Sequence, residues 1–413
     1  MANDKQNTSP NVPNKREQSG IYSGYAERGV LRPQGNVPNL RNVPRLRFPE
    51  FTEDWVNNTF GEIAKGLDYG MNAAAKPFDG MNKYIRITDI DESSSLYRGD
   101  EIVSPDGKLE ECYLVKENDI LLARTGASTG KSYLYRNSDG ILYFAGFLIR
   151  ANIEKHNPLF VFSQLHTHKY WKWVSIMSTR SGQPGINSQE FASFPIYTTS
   201  IQEENKIAHF LKLLDERIAT QNKIIKQLQS LIKGIYDKTF ANFSKYQALS
   251  SICKIQKGQQ VNGEELSEFG EYYVMNGGIE PSGYYDKYNT MPNTISISEG
   301  GNSCGYIQFN SVPFWSGGHC YTIQSISPEY NILFVYHYLK SKEREIMALR
   351  IGSGLPNIQK KDLEKFPIPV LSLETQISIV NGINKIETKL IYEKDILSAY
   401  QTQKAYLLRN LFI

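Results

Sequence analysis

After Ser200 the apolar residues Ile207, Leu211, Leu214, Ile218, Ile225, Leu228, Ile232 and Ile235 recur at alternating steps of four and three, with polar Gln221 filling the one remaining place on the stripe. This is the heptad spacing of a helix that packs along a partner helix. The stripe returns 172 residues later as Ile379, Ile383, Ile386, Leu390, Glu393, Leu397, Tyr400, Lys404 and Leu407, so that Glu393 stands in the place of Gln221. Neither segment contains proline, and each holds a single glycine, Gly234 or Gly382. Two continuous helices of roughly 38 residues, about 55 Å long at about 1.5 Å per residue, are predicted. Their equal seams favour pairing with each other over burial in separate cores.

A different periodicity precedes each helix. Tyr84-Ile85-Arg86-Ile87, Asp119-Ile120-Leu121-Leu122-Ala123 and Phe147-Leu148-Ile149 read as short strands between clusters of Gly, Asp, Asn and Ser, and Thr294-Ile295-Ser296-Ile297 and Tyr321-Thr322-Ile323 do the same in the second half. Helical patterns over 158–175 and 330–350 close each stretch, which makes both modules α+β. The offset of 172 also relates Ser181-Gly182-Gln183-Pro184 to Ser353-Gly354-Leu355-Pro356, and Phe194-Pro195-Ile196 to Phe366-Pro367-Ile368. A looser match, offset by 175, relates Gly126-Ala127-Ser128-Thr129-Gly130 to Gly301-Asn302-Ser303-Cys304-Gly305. The chain is therefore an internal duplication: a module over 48–200, a helix over 201–242, a module over 243–372 and a helix over 373–413. Residues 1–47, rich in Asn, Pro, Gly and Ser and repeating the phrase Asn-Val-Pro, are expected to form a flexible arm.

Composition narrows the function without fixing it. Lys and Arg number 46 against 43 Asp and Glu, a net charge of +3 that falls short of the balance of a small basic nucleic-acid module. The 26 Tyr and 19 Phe suit strands and broad contact surfaces. Cys112, Cys253, Cys304 and Cys320 form no CxxC pair, which argues against a disulfide framework or a zinc ribbon. With no apolar leader and no long apolar run, a cytoplasmic protein without membrane contact is expected.

The segment Arg124-Thr125-Gly126-Ala127-Ser128-Thr129-Gly130-Lys131 superficially suggests a phosphate-cradling loop, yet Gly126 and Gly130 enclose three residues where a P-loop needs four. A glycine-permitted turn whose Arg, Thr, Ser and Lys side chains reach phosphates or base edges is the functional alternative to a purely structural turn. Methyl transfer would need an Asn-Pro-Pro-aromatic run, which is absent. Pro105-Asp106 has no Glu-x-Lys partner within about forty residues downstream. His166, His168 and His319-Cys320 lack the donors of a metal site and are assigned to packing or hydrogen-bonding roles. No catalytic residue and no metal ligand is expected.

The phrases Ile85-Arg86-Ile87-Thr88-Asp89-Ile90, Asp119 through Lys131, Gly182-Gln183-Pro184-Gly185-Ile186-Asn187, Asn276-Gly277-Gly278-Ile279-Glu280-Pro281-Ser282-Gly283-Tyr284 and Gly317-Gly318-His319-Cys320-Tyr321 resemble those of the specificity subunits of type I restriction-modification systems. The resemblance runs from about Arg47 to residue 413. It implies a pseudo-twofold subunit with two target-recognition domains, one for each half of a split duplex-DNA target. Its two long helices would pair as an antiparallel coiled coil and dock two methyltransferase subunits, with restriction and translocase subunits completing the complex. S-adenosylmethionine would belong to the methyltransferase partners, and no cofactor to this chain. The candidate DNA contacts are Arg86, Arg124, Thr125, Ser128, Thr129, Lys131, Gln183 and Asn187 in the first module, and Asn276, Asn302, Ser303, Tyr306, His319 and Asn357 in the second. Glu299-Gly300-Gly301 stands where the first module has Arg124-Thr125-Gly126, so the modules are expected to read different half-sequences. The competing readings are a stand-alone methyltransferase or nuclease, and a coiled-coil scaffold without affinity for DNA.

Overall fold

The computed structural model describes residues 32–33, 42–179, 184–352, 354 and 356–413. The chain divides into one unit made of residues 1–218 with 399–413, and a second made of residues 219–398.

The first unit is built on a four-stranded sheet in the order Lys65–Tyr69, Leu148–Asn152, Asp119–Ala123, Ser132–Leu134, with every pairing antiparallel. Successive side chains on a strand point to opposite faces, and here both faces are covered. Ile120, Leu122, Ile149 and Ala151 pack with Phe160, Val161, Tyr170, Ile207 and Leu211. Leu121, Ala123 and Leu148 join Ile85, Ile90, Tyr133, Leu142 and Phe144 on the other side. That is why Asp119–Ala123 is almost wholly apolar rather than alternating.

In the second unit the corresponding order is Lys254–Lys257, Cys320–Gln324, Thr294–Ser298, Ile307–Asn310. Thr294–Ser298 alternates. Ile295 and Ile297 enter a core with Phe334, Val335 and Tyr338, whereas Asn310 Nδ2 donates to the Thr294 carbonyl and to Ser296 Oγ at 2.9 and 3.0 Å. Hydrogen bonding lets that face carry hydroxyls while buried.

Both long helices are continuous, at Ile201–Thr239 and Leu373–Asn410, and they pair antiparallel. In the first unit Ile207, Leu211 and Leu214 share a core with Leu407, Leu411 and Phe412, and Lys404 reaches Asp215 at 2.6 Å. In the second unit Ile235 and Tyr236 pack beside Ile379, Val380 and Ile383. The start of each helix is tied to its module in the same way. Asn157 and Asn331 cap shorter helices at Pro158–Gln164 and Ile332–Ser341, and their own N–H groups donate at 2.8 Å to buried Glu204 and buried Gln376 respectively.

The two polar seam residues meet: Gln221 Nε2 donates to the Glu393 carbonyl at 2.9 Å and to the Glu393 carboxylate. Replacing Glu393 alone by Leu removes one of these bonds from the buried amide, an expected loss of about 1 kcal/mol. Adding Gln221→Leu completes an apolar seam and is expected to return stability to the parental level or above. A double-mutant cycle followed by thermal denaturation checks this, and a double variant weaker than either single would mean that the polar pair is indispensable.

The segment assigned from composition to a flexible arm ends differently. Arg32–Pro33 pairs antiparallel with Leu46–Arg47, and Leu46 and Arg47 are buried. The reason is long-range: the Arg47 guanidinium makes a two-pronged ion pair with Glu203, 156 residues away, at 2.7 and 2.8 Å, and composition cannot display such a partner. Residues 1–31 and 34–41 lie outside the described residues.

Candidate nucleic-acid interface

In each unit a strand runs into a tight turn whose shape glycine makes possible. Gly126 and Gly130 have φ of +68° and +88°, and Gly301 and Gly305 have +79° and +92°, a region other residues rarely adopt. The surrounding backbone bonds match one for one. Arg124 N donates to the Phe147 carbonyl at 3.0 Å, and Glu299 N to that of His319 at 2.9 Å. Gly126 N reaches the Pro184 carbonyl at 3.1 Å, as Gly301 N reaches that of Pro356 at 3.0 Å. Gly130 N donates to the Ala123 carbonyl and Gly305 N to that of Ser298, both at 2.8 Å. Ile186 N bonds the Arg124 carbonyl, and Ile358 N that of Glu299, both at 2.9 Å. Arg124 and Glu299 thus occupy one position of a repeated scaffold.

A second glycine pair locks the neighbouring loops. A Cβ on Gly70 would lie 2.2 Å from the Ala145 carbonyl oxygen, and one on Gly258 would lie 2.2 Å from that of Gly317. No other residue fits there.

Beside the first turn is a cavity of about 600 Å³ whose lining includes Tyr69, Tyr84, Arg86, Arg124 and Phe147. The Arg124 guanidinium lies 4.9 Å from the centre of the Tyr69 ring. Its Nε is buried without a hydrogen-bond partner among the described residues. Arg86 shares the cavity, but two of its donors are committed to the buried Asp89, at 2.9 and 2.7 Å. In the second unit Glu299 Oε1 accepts from Lys257 Nζ at 2.7 Å and from the Tyr321 hydroxyl at 3.0 Å. Burial first, and then this carboxylate, raise the Tyr321 pKa above the usual phenol value. Glu299 Oε2 is buried and has no hydrogen-bond partner among the described residues, with exposed His319 offering Nδ1 at 3.8 Å.

The other residues singled out from sequence fall into distinct surroundings. Thr125 and Ser128 are half-buried on the first turn, and Asn302 and Ser303 are exposed and half-buried on the second. Lys131 turns toward Glu92, at 3.7 Å. Thr129 departs from expectation: it is buried, and its hydroxyl donates to the Gly126 carbonyl at 2.7 Å, so it closes the turn from within. Asn187 is exposed, yet its side chain caps the helix Ser188–Ala192 by accepting from Glu190 N at 2.9 Å. Asn276 Oδ1 accepts from His319 N at 3.0 Å and pins the Gly317-Gly318-His319 loop. Tyr306 packs under Lys340, whose Nζ lies 4.0 Å from its ring centre. Burial, with Glu343 and Glu280 nearby, raises its pKa. Asn357 bridges to Gly300 and Ile351 through its backbone. Gln183 lies outside the described residues.

His166 has a structural role. Its Nδ1 donates to the Phe162 carbonyl and its Nε2 accepts from Ser95 Oγ, both at 2.9 Å, and burial pushes its pKa down to about 4.

Tyr69, Lys257 and Glu299 were not among the candidates from sequence. The signal for Glu299 is present, since it stands in the repeat position of Arg124. Tyr69 and Lys257 carry no sequence signal beyond being the residues that precede Gly70 and Gly258.

The family model described as "Type I restriction modification DNA specificity domain" matches residues 52–230 and 244–399. A putative type I specificity subunit of Mycoplasma pneumoniae is 31% identical over 176 residues, 42% of this chain and 46% of that protein. One of Mycoplasma genitalium is 34% identical over 151 residues, 36% of this chain and 39% of that protein. In both cases the matched stretch spans less than half of the relative. The specificity subunit of a type I restriction enzyme of Methanocaldococcus jannaschii is 22% identical over 391 residues, 84% of this chain and 89% of its own. Among solved structures, the crystal structure of a type I system S subunit from Mycoplasma genitalium superposes with a TM-score of 0.63 at 19% identity. It covers 90% of this chain and 99% of that one.

Proposed function

The chain belongs to the type I restriction-modification DNA specificity family, and from that premise we propose that it reads a bipartite duplex-DNA target, one half-sequence per module. The chain is a recognition subunit without catalytic residues of its own. Two methyltransferase subunits dock on its helices, carry S-adenosylmethionine and supply the chemistry; restriction and translocase subunits join the same complex, in the cytoplasm.

The observation that carries this reading is the duplicated strand-and-turn scaffold. Its backbone is held constant between the modules while its side chains differ, which is what two readers of unlike sequences require. One half-site discriminates weakly, because a wrong base pair costs about 1–3 kcal/mol, and two half-sites roughly add their penalties.

The test reconstitutes the chain with its methyltransferase subunits, labelled S-adenosylmethionine and DNA. Methyl transfer is expected at a two-part site with the partners and none with the chain alone. Binding of the chain to random duplex is expected to fall steeply with salt, as counterion release dictates. Lys131→Ala is expected to flatten that slope by about one unit, the signature of one lost phosphate contact. Transfer by the isolated chain would make it an enzyme, and salt-independent or absent binding would make it a scaffold.

A further inference from the structure

Position 124 in the first module and position 299 in the second are equivalent by every backbone bond around them, and they carry opposite charges. Both side chains carry a buried polar atom that finds no hydrogen-bond partner among the described residues, Arg124 Nε and Glu299 Oε2. Folding leaves buried polar groups unpaired only rarely, and each such exception calls for an explanation. A phosphate cannot explain both. The backbone of DNA presents the same anion in each half-site, and a carboxylate has no attraction for it.

What does differ in hydrogen-bonding polarity between half-sites is the base edge. In the major groove guanine offers two acceptors, N7 and O6, which an arginine fork matches, whereas cytosine N4 and adenine N6 offer an amine that a carboxylate accepts. We infer that positions 124 and 299 form one repeat-equivalent base-selecting site, at which Arg124 selects guanine in one half-sequence and Glu299 selects a base bearing an exocyclic amine in the other. The inference rests on the reading of the chain as a bipartite DNA reader.

The surroundings suit each task. The Arg124 guanidinium lies over the Tyr69 ring, 4.9 Å from its centre, beside the 600 Å³ cavity. Arg86, in the same cavity, is already tied to Asp89, whereas Arg124 keeps its Nε without a hydrogen-bond partner among the described residues. In the second module Lys257 Nζ and the Tyr321 hydroxyl both bond Glu299 Oε1. They fix the carboxylate, and the Lys257 ammonium partly neutralises it, while Oε2 has no hydrogen-bond partner among the described residues. His319, 3.8 Å from Oε2, is an exposed side chain on a glycine-rich loop, able to turn aside for a base.

The experiment uses the complete complex with its methyltransferase subunits, a randomised duplex library as probe, and sequencing of the methylated molecules. For the parent, one half-sequence is expected to require guanine at one position, and the other to require cytosine or adenine at one position. Arg124→Gln is expected to relax the first requirement alone, by roughly 10- to 100-fold in preference, the range of one lost base contact. Glu299→Gln and Glu299→Asp are expected to relax the second alone. The former removes the charge, and the latter withdraws the oxygen while keeping it. Thermal melts of each variant establish that its module is folded, and the Arg124 arm is independent of any instability in the second module. Preferences unchanged at every position, or an even loss across all sequences, overturn the inference while leaving the bipartite reading intact. A parent complex that selects no two-part site overturns both.

Discussion

Glu203→Ala is expected to destabilise the first unit by about 3–5 kcal/mol, the cost of stranding a buried charge whose partner has been removed. The Glu203 carboxylate is fully buried and accepts from Arg47 through both oxygens, from Trp55 Nε1 at 3.2 Å and from the Thr199 hydroxyl at 2.6 Å. Its loss leaves the Arg47 side chain, 5% exposed, without a counterion. At about 2–4 °C per kcal/mol for a unit of this size, the melting temperature should fall by roughly 10 °C. Calorimetry should show the transition of the second unit unmoved. Removing both charges, as Arg47→Met with Glu203→Met, is expected to recover much of the loss, because an apolar replacement of a buried pair is often close to neutral. A fall below about 1 kcal/mol for Glu203→Ala would show that Arg47 escapes to water, and that residues 42–47 are not clamped as described.

The second large effect concerns the helix pair. A heptad inserted into one long helix alone shifts every later seam contact out of register, and assembly is expected to fail. Heptads inserted into both helices, flanking Gln221 and Glu393, preserve the seam and lengthen the pair by about 10 Å. Duplex DNA rises about 3.4 Å per base pair along each strand. If the chain reads a bipartite target, the two half-sequences should persist while the spacer between them grows by about three base pairs. The same change rotates one half-site by roughly 100° about the duplex axis, at about 10 to 10.5 base pairs per turn, so affinity should drop as the spacer grows. Mapping the sites methylated by the reconstituted extended complex decides the matter; an unchanged spacer in an active complex ends the idea that helix length sets it.

Much of the architecture was legible because the forces that produce it act along the sequence. The four-three seam, the runs Asp119–Ala123 and Thr294–Ile297, and the constant offset of 172 were each readable along the chain, and the two helices begin at Ile201 and Leu373, six residues before the first seam residues Ile207 and Ile379. The repeat was readable where the offset stayed at 172, or shifted only to 175 as at the Gly126 and Gly301 turns. Gly70 and Gly258, which do the same work at 2.2 Å from a carbonyl, are 188 residues apart, and the change of offset hides them. The site was less legible. Exposed Asn and Ser bond either a ligand or their own backbone, and Asn187 and Asn276 are both committed to the backbone here. Lys257 reaches Glu299 across 42 residues, a pairing that only the folded sheet creates.

The core of the first unit contains Leu407, Leu411 and Phe412, with the Phe412 ring 5.4 Å from that of Phe160. The second unit, residues 219–398, is by contrast one uninterrupted stretch of chain. Synthesis on the ribosome therefore inverts the order of completion: the module encoded second has all of its core residues first. The earlier module waits for more than 180 further residues, roughly 10–40 s at about 5–20 residues per second, with the apolar surface around Trp55 and Phe160 uncovered. A nascent chain released at residue 398 should show a protease-resistant second unit and a cleavable first one. During that interval the first module depends on whatever chaperone capacity the cell supplies, and its yield should be the more sensitive of the two to the speed of translation.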